Sequence, residues 1–316
     1  MARLEQAIIM SREAQVADTA LFRKDLPKSG CYSALDIGVR LTNDDTVVED
    51  KDFLDVIKHI SLVCNGNDYR VHISGKDLFK HYWMKHGRPM PYNWTEVAST
   101  GVNEVWFRLE FGRYLGDDQF GLDLSRFNNV QVQIDYDCTK MGTAGTHFTT
   151  GTFAVTLIAH QFPYARRPSF RGMMGVREFY TGTTAASGDL VQDLPTANLI
   201  TALAVSCVED GVADGTDITD IRIGKNNFSE IWLDGKWYNF AAMQNAALDV
   251  REEDFTLVAS NGDDKSTHLT NIKNIIVLSP DMTVNATGVY ANHFIAGTAV
   301  GNYVTLAGDT LTVTVT

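Results

Sequence analysis

One stretch of this sequence, residues 57–87, returns in recognisable form 160 positions later. Both copies contain an apolar residue, a polar turn, a short run of alternating apolar residues, a Gly-Lys pair and a helical pattern, in that order. The matching positions include Val71, Ile73, Gly75 and Lys76 in the first copy and Ile231, Leu233, Gly235 and Lys236 in the second. Alternating apolar residues are typical of a strand with one buried face. Because so complex a unit occurs twice, the sequence predicts two similar domains in tandem.

A polar residue precedes each Gly-Lys pair, and this arrangement is typical of the start of a helix. The side chain of an N-cap residue such as Ser or Asp accepts a hydrogen bond from a backbone N–H of the first helical turn. We therefore predict helices over residues 75–86 and 236–248. The residues assigned to the two caps are Ser74, Gly75, Lys76, Asp234, Gly235 and Lys236.

The rest of the chain has mainly β character. Val130–Ile134 alternates between apolar and polar residues, so its side chains must point to opposite faces of a sheet. Strands interrupted by single helices and long loops favour a sandwich or jelly roll over a βαβ fold. The final strand, Thr312–Thr316, resembles Thr152–Thr156 at the same spacing of 160 residues. The predicted fold class is all-β, with two tandem jelly-roll barrels that each have a short flanking helix, plus an N-terminal helix.

The N-terminal helix is predicted from apolar residues that recur at steps of three or four, the spacing of an amphipathic helix. Two interpretations are open: the helix packs on its own domain or a neighbour, or it touches a membrane surface. The residues of the apolar stripe are Leu4, Ala7, Met10, Ala14, Ala17 and Leu21.

A stretch rich in proline and arginine, Gln161–Gly172, marks the joint between the two barrels, because few of its residues suit a central strand. We favour hydrogen bonds from its arginines to carbonyls and carboxylates at the domain junction; the alternative is binding of a phosphate or an acidic neighbour. These arginines are Arg166, Arg167 and Arg171. The predicted organisation is an N-terminal helical segment over 1–30, a first jelly roll over 31–162, a linker over 163–174 and a second jelly roll over 175–316.

The composition excludes several classes of protein. A chain of 316 residues that is 44% apolar and 21% charged is typical of a globular protein with a sizeable core. The net charge of −12 argues against a broad nucleic-acid-binding surface, which needs clustered Lys and Arg. No apolar run approaches the roughly 20 residues of a membrane span, and the N-terminus lacks the layout of a signal peptide. Four scattered cysteines indicate reduced thiols and folding in the cytosol, with a disulfide as the alternative.

Motifs for catalysis or metal binding are missing from the sequence. We find no nucleophile elbow, zinc-protease motif, P-loop or dinucleotide fingerprint in a suitable context. Asp135 and Asp137 alternate on one predicted strand and are the best candidates for a hydrolase, with solvent-facing positions as the alternative. A glycan-binding module would use exposed aromatic residues such as Trp94, Trp106 or Trp232, although tryptophans more often fill the core. We expect no catalytic residue, no cofactor and no metal.

Three short motifs, together with the tandem organisation, resemble one known family. The chain is similar to the double jelly-roll major capsid proteins of tailless, membrane-containing icosahedral bacteriophages, a lineage that shares its architecture with adenovirus hexon. The resemblance covers nearly the whole chain. The motifs are Phe111-Gly112-Arg113, Phe120-Gly121-Leu122-Asp123-Leu124 and Val130-Gln131-Val132-Gln133-Ile134-Asp135.

The resemblance implies a structural protein of the virion, folded and assembled in the host cytoplasm. Three subunits with two barrels each would form a homotrimer of pseudo-hexagonal outline that tiles an icosahedral shell over an internal membrane. Its implied partners are neighbouring capsomers and minor capsid proteins (penton or cement proteins), with no direct contact to nucleic acid. An N-terminal helix near the viral membrane would place Arg3, Ile8 and Arg12 close to lipid. The alternative is a tandem β-sandwich that binds glycans or a receptor.

Overall fold

The computed structural model describes residues 4–44, 53–93, 101–141, 148–181, 188–194, 200–206, 218–248, 255–258, 264–267, 275–285, 288–296 and 311–315. The chain separates into two units. The elements up to residue 161 are β1 (Glu5–Ala14), β2 (Thr19–Asp25), β3 (Cys31–Thr42), β4 (Ile57–Cys64), β5 (Asp68–Ile73), α1 (Gly75–His86), β6 (Tyr92–Asn93), β7 (Val102–Glu110), β8 (Leu122–Asp123), β9 (Val130–Asp137) and β10 (Ala154–Gln161). The later elements are β11 (Leu190–Asp193), β12 (Leu203–Ser206), β13 (Asp220–Lys225), β14 (Glu230–Lys236), α2 (Trp237–Leu248), β15 (Phe255–Val258), β16 (Asp264–Thr267), β17 (Ile275–Asn285), β18 (Gly288–Ala296) and β19 (Leu311–Val315).

The first unit is built from two antiparallel sheets. One has the strand order β1-β10-β3-β7-β6, with β8 beside β3, and the other has the order β2-β9-β4-β5. Apart from the short strands β6 and β8, each sheet has four strands, and eight strands that alternate between two sheets in this order form a jelly roll. Tyr136 from β9 stacks on Phe153, which immediately precedes β10, with 3.7 Å between ring centroids. Both rings are almost fully buried, so the core lies between the two sheets.

The alternation in β9 works as the sequence predicts. Its apolar residues at every second position are buried, and the polar residues between them are partly exposed up to Asp135. By contrast, β3 is buried on both faces over most of its length. On one face, the ring of Trp106 lies over Gly38, where an added Cβ would approach the indole to 2.9 Å. Glycine is therefore needed at this point of the sheet.

The second unit repeats part of this topology. Its four-stranded sheet has the order β11-β19-β13-β14, which matches β2-β9-β4-β5 strand for strand. A second sheet, β12-β17-β18, contains a β12–β17 pair that corresponds to β3–β7. The strands β15 and β16 form a separate hairpin, which belongs to the first unit. The core of the second unit consists of Leu194, Ile218, Ile221, Ile223, Trp232, Leu233, Trp237 and Ala241. The prediction of an all-β fold with two tandem jelly rolls is confirmed, as are the two helices.

The prediction of an N-terminal helix over 1–30 is wrong. The described part of this segment forms β1 and β2, which pair with β10 and β9 in the two sheets of the first jelly roll. Bulges between Ile8 and Met10 and between Met10 and Glu13 break the alternation of β1, so its apolar residues fall at helix-like intervals. The predicted boundary at residue 31 therefore lies inside the first jelly roll.

The predicted equivalence of the final strand also fails. β19 pairs with β13 on one side and β11 on the other, the place that β9 holds between β4 and β2. Thr152–Thr156 overlaps β10, which belongs to the other sheet. The likeness between the two threonine-rich stretches reflects β alternation and does not mark equivalent strands.

Candidate assembly surface

The loop between β7 and β8 is built around one buried carboxylate. The guanidinium of Arg113 donates to both oxygens of Asp117, with Nε–Oδ2 2.7 Å and Nη2–Oδ1 3.0 Å. The backbone N–H groups of Arg113 and Gln119 donate to the same carboxylate. The side chain of Asp117 is completely buried, whereas that of Arg113 is 24% exposed. A bidentate pair supplemented by backbone donors holds this loop in one conformation.

The electrostatics of this carboxylate follow from its partners. Burial opposes ionisation of Asp117, but the hydrogen bonds from Arg113 and Gln119 outweigh it and lower the pKa from 3.8 to about 2. Because the folded pKa lies below the unfolded one, Asp117 stabilises the fold fully above about pH 4 and loses this contribution as the pH falls towards 2.

This loop holds the chain segment that leaves the first jelly roll. Backbone hydrogen bonds run from Arg171 to Gln119, from Gly121 to Gly172 and from Met174 to Phe111. A Cβ on Gly121 would overlap the ring of Phe170, so only glycine permits this approach. The Phe-Gly motifs of the family resemblance therefore hold the linker. We call this set of contacts, between residues 111–121 and 170–174, the clamp.

A second anchor lies farther along the same segment. His72 in β5 bonds through its backbone to Val176 and Glu178. Its ring stacks on His59, with 4.6 Å between centroids and 8° between planes, and its Nδ1 lies 2.8 Å from Ser61 Oγ. Burial is the main cause that lowers the pKa of His72; the neighbouring His59 adds to it and Glu178 opposes it. Sequence reasoning missed this pair, because only the register of the β4–β5 hairpin brings the two rings together.

Between β10 and the clamp, a small apolar cluster fixes the linker. Phe162 and Phe170 meet edge to face, with 5.7 Å between centroids, and pack with Cys31 and Leu4. Arg126 Nη2 also donates to the carbonyl of Phe170. The chain between the two phenylalanines is thereby tied down at both ends.

The residues between these phenylalanines face solvent. Tyr164 is 81% exposed, and the guanidinium of Arg167 lies over its ring at 4.3 Å. Arg166 and Arg171 are exposed as well. Within the ranges that the structure describes, none of these three arginines forms a salt bridge, so the junction interpretation stays a prediction. We call Tyr164, Arg166, Arg167 and Arg171 the arginine patch.

The two carboxylates proposed for hydrolysis lie at the end of β9. Asp137 accepts from Thr19 and Thr139 and pairs with Lys58 at 3.1 Å. Burial opposes its ionisation, but these hydrogen bonds outweigh it and lower its pKa. Asp137 therefore joins three parts of the first jelly roll, while Asp135 is partly exposed beside it. This geometry indicates a structural role for Asp137.

Of the two predicted caps, the structure supports one. Ser74 Oγ accepts from the backbone N–H of Asp77 at 3.1 Å and donates to its carboxylate at 2.7 Å, so Ser74 caps α1, which starts with Gly75 and continues with Lys76. The second cap is wrong. Asp234 and Gly235 lie inside β14, opposite Arg222 and Ile221, and Lys236 ends that strand directly before α2.

The residues predicted to lie near a membrane fall on an edge strand. Ile8 is 70% exposed on β1, and Arg12 is exposed on the same strand, while Arg3 lies outside the described residues. None of the described helices is long and apolar enough to cross a membrane.

Other predicted binding residues have structural partners. Trp106 Nε1 donates to Glu104, and Trp232 Nε1 donates to Glu230 while its ring lies in the core; Trp94 lies outside the described residues. Cys31, Cys64 and Cys138 are buried free thiols. The described side chains contain no cluster of three metal-ligating groups.

Comparison with known proteins identifies the fold. No protein-family model and no curated protein matches the sequence. Among solved structures, the crystal structure of the STIV MCP aligns with a TM-score of 0.62 and 12% identity, over 99% of this chain and 95% of that one. The atomic structure of Sulfolobus Turreted Icosahedral Virus gives 0.51 and 10%, over 99% and 89%. PBCV-1 VP54, fitted into a reconstruction of the virophage Sputnik, gives 0.52 and 11%, over 100% and 85%. These neighbours are double jelly-roll major capsid proteins, and the chain is similar to them in fold.

Proposed function

We propose that this chain is a structural major capsid protein that forms pseudo-hexagonal homotrimers and tiles an icosahedral viral shell over an internal membrane. The observation that carries the proposal is the repeated strand order, β2-β9-β4-β5 and β11-β19-β13-β14, within one chain. The proposal is also supported by the likeness in fold to the STIV MCP, which extends over almost the whole chain.

The repeated topology suits assembly in a simple way. Two similar barrels per chain and three chains give six similar masses around one axis, and a closed threefold interface is an ordinary route to an oligomer. In this proposal the linker spans residues 163–174 and the second barrel spans residues 175–316. The first barrel, in contrast, starts with β1, since that strand pairs with β10.

The proposed partners are neighbouring trimers and minor capsid proteins in the virion, after folding and assembly in the host cytoplasm. Lipid contact near the N-terminus would involve an exposed strand edge with Ile8 and Arg12, not a helix. No catalytic step belongs to the proposal.

Light scattering coupled to size-exclusion chromatography tests the oligomeric state. We expect a single species of three times 35.0 kDa at micromolar concentration over a wide range of salt. A monomer under all of these conditions would contradict the proposal. A glycan array provides the test of the alternative binding function, for which we expect no hit.

A further inference from the structure

The arginine patch concentrates positive charge on a chain whose overall charge is strongly negative. The whole sequence has 39 acidic and 27 basic residues, yet no acidic residue occurs from 138 to 177. Three arginines of this stretch face solvent within six residues of one another, and Tyr164 stands beside them. A solvent-exposed cation cluster of this kind attracts anionic surfaces.

The patch is also held rigidly. The edge-to-face contact of Phe162 and Phe170 lies beneath it, the clamp follows Phe170 directly, and Arg126 binds the carbonyl of Phe170. Arg126 itself pairs with Asp123 at 3.4 Å, so it contributes less net charge than the three outer arginines. A patch fixed on an ordered backbone loses little conformational entropy when it binds.

Its residue types favour a protein partner. Arg and Tyr are enriched at protein interfaces, where the planar guanidinium pairs with carboxylates through two hydrogen bonds. The charge of the patch is opposite to that of the chain as a whole, so a second copy of this chain offers a complementary surface. Lysines would bind an anionic lipid surface equally well, but the patch contains no lysine, which favours a protein partner over lipid.

We propose that the arginine patch binds a carboxylate-rich surface of a second copy of this chain and thereby joins one capsomer to the next. The proposal rests on the proposed capsid function and adds the surface through which capsomers touch. It assigns the trimer interface itself to other surfaces.

Sedimentation velocity across a range of salt concentrations tests this assignment. The patch variant is Arg166→Glu/Arg171→Glu, which keeps the contact between Arg167 and Tyr164. The matched control is Arg23→Glu/Arg88→Glu, which changes the charge equally at two exposed positions outside the patch. We expect all three proteins to remain trimers. Wild type and control should associate further at low salt, and the patch variant should need at least about tenfold more protein to do so.

Each other outcome has a definite meaning. Equal association of the patch variant and the control would overturn the patch assignment and leave the capsid proposal intact, and so would wild-type trimers that never associate. A wild-type monomer would overturn both. A third outcome concerns lipid. If only the patch variant fails to sediment with phosphatidylglycerol vesicles, while its trimers associate as before, the patch binds lipid and its assignment to a second copy is overturned.

Discussion

The hairpins β4–β5 and β13–β14 occupy the same place in their two sheets and show how much of a barrel the chain repeats. Both carry one bulged residue on the second strand, Arg70 in the first and Trp232 in the second, with two strand pairs between the bulge and the turn. The first turn has three residues and the second has four. The backbone pairing is therefore repeated, while the turn is not.

The longer turn changes which residues correspond. The pairs Leu62–Val71 and Ile223–Leu233 are equivalent, so Val71 corresponds to Leu233 and not to Ile231, as the 160-residue spacing implied. By the same register, Gly75 at the start of α1 corresponds to Trp237 at the start of α2. What the two barrels share is a register of hydrogen bonds, and the side chains that fill it differ.

The largest expected effects concern Gly75 and Trp237. Trp237 is 2% exposed in the second core, so Trp237→Ala should lower the free energy of unfolding by about 3–5 kcal/mol.

A Cβ on Gly75 would lie 2.6 Å from Cβ of Ile57 and 2.9 Å from its carbonyl oxygen, so Gly75→Ala should lower the free energy of unfolding by about 1–3 kcal/mol. Urea titration with hydrogen exchange locates each loss in its own barrel. Gly172→Ala, where a Cβ has room, is the control; an equally mild Gly75→Ala would contradict the register.

The next comparison tests the correspondence of Val71. Val71 is 2% exposed and Ile231 is 53% exposed. Val71→Ser should therefore lower the free energy of unfolding by about 2 kcal/mol, because it removes buried apolar area. Ile231→Ser should change it by no more than about 0.5 kcal/mol. Equal losses in a urea titration would favour the 160-residue spacing over the register seen in the structure.

A smaller difference is expected between the two predicted caps. Ser74→Ala removes an N-cap and should lower the free energy of unfolding by about 1 kcal/mol. Asp234→Ala removes only an exposed ion pair with Arg222 at 3.0 Å and should lower it by less than about 0.5 kcal/mol. Thermal unfolding followed by circular dichroism measures both. A larger loss of stability for Asp234→Ala than for Ser74→Ala would indicate that Asp234 does cap α2.

The smallest expected effect is a pH dependence confined to the first hairpin. His72 corresponds to Asp234, and the cross-strand pair Ser61–His72 corresponds to Arg222–Asp234. Because burial and His59 lower the folded pKa of His72 below 6.5, its neutral form stabilises the fold above that pH, and this stabilisation is lost as the pH falls below it.

Hydrogen exchange of the backbone around His72 should thus speed up between pH 7.5 and 5.5, after correction for the intrinsic exchange rate. The equivalent amides of β14 should not respond in this range. In His72→Gln the response should disappear. An identical response in that variant would show that another group is responsible.

The sequence predicts the fold better than the residue correspondences. Strict alternation in β9 and the apolar pattern of α1 are local signals, and both elements form as predicted. The bulges of β1 are not visible in the sequence, because the partner strand β10 that creates them lies some 150 residues away. The Gly-Lys match between the copies is a coincidence, since Gly235 lies within a strand and Gly75 starts a helix.

The candidate assembly surface was predictable only in part. The linker arginines stand out by composition, but their exposure depends on the packing of Phe162 against Phe170. Asp117 resembles any turn residue until the loop folds and Arg113 encloses it. Such roles arise from tertiary contacts that no local pattern encodes.

Cryo-electron microscopy of the purified protein tests the central claim most directly, because one map shows both the barrels and their assembly. We expect threefold particles in which six barrel densities surround one axis, with β19 between β11 and β13 in every second barrel. Particles with a single barrel per chain, or with no threefold axis, would contradict the account.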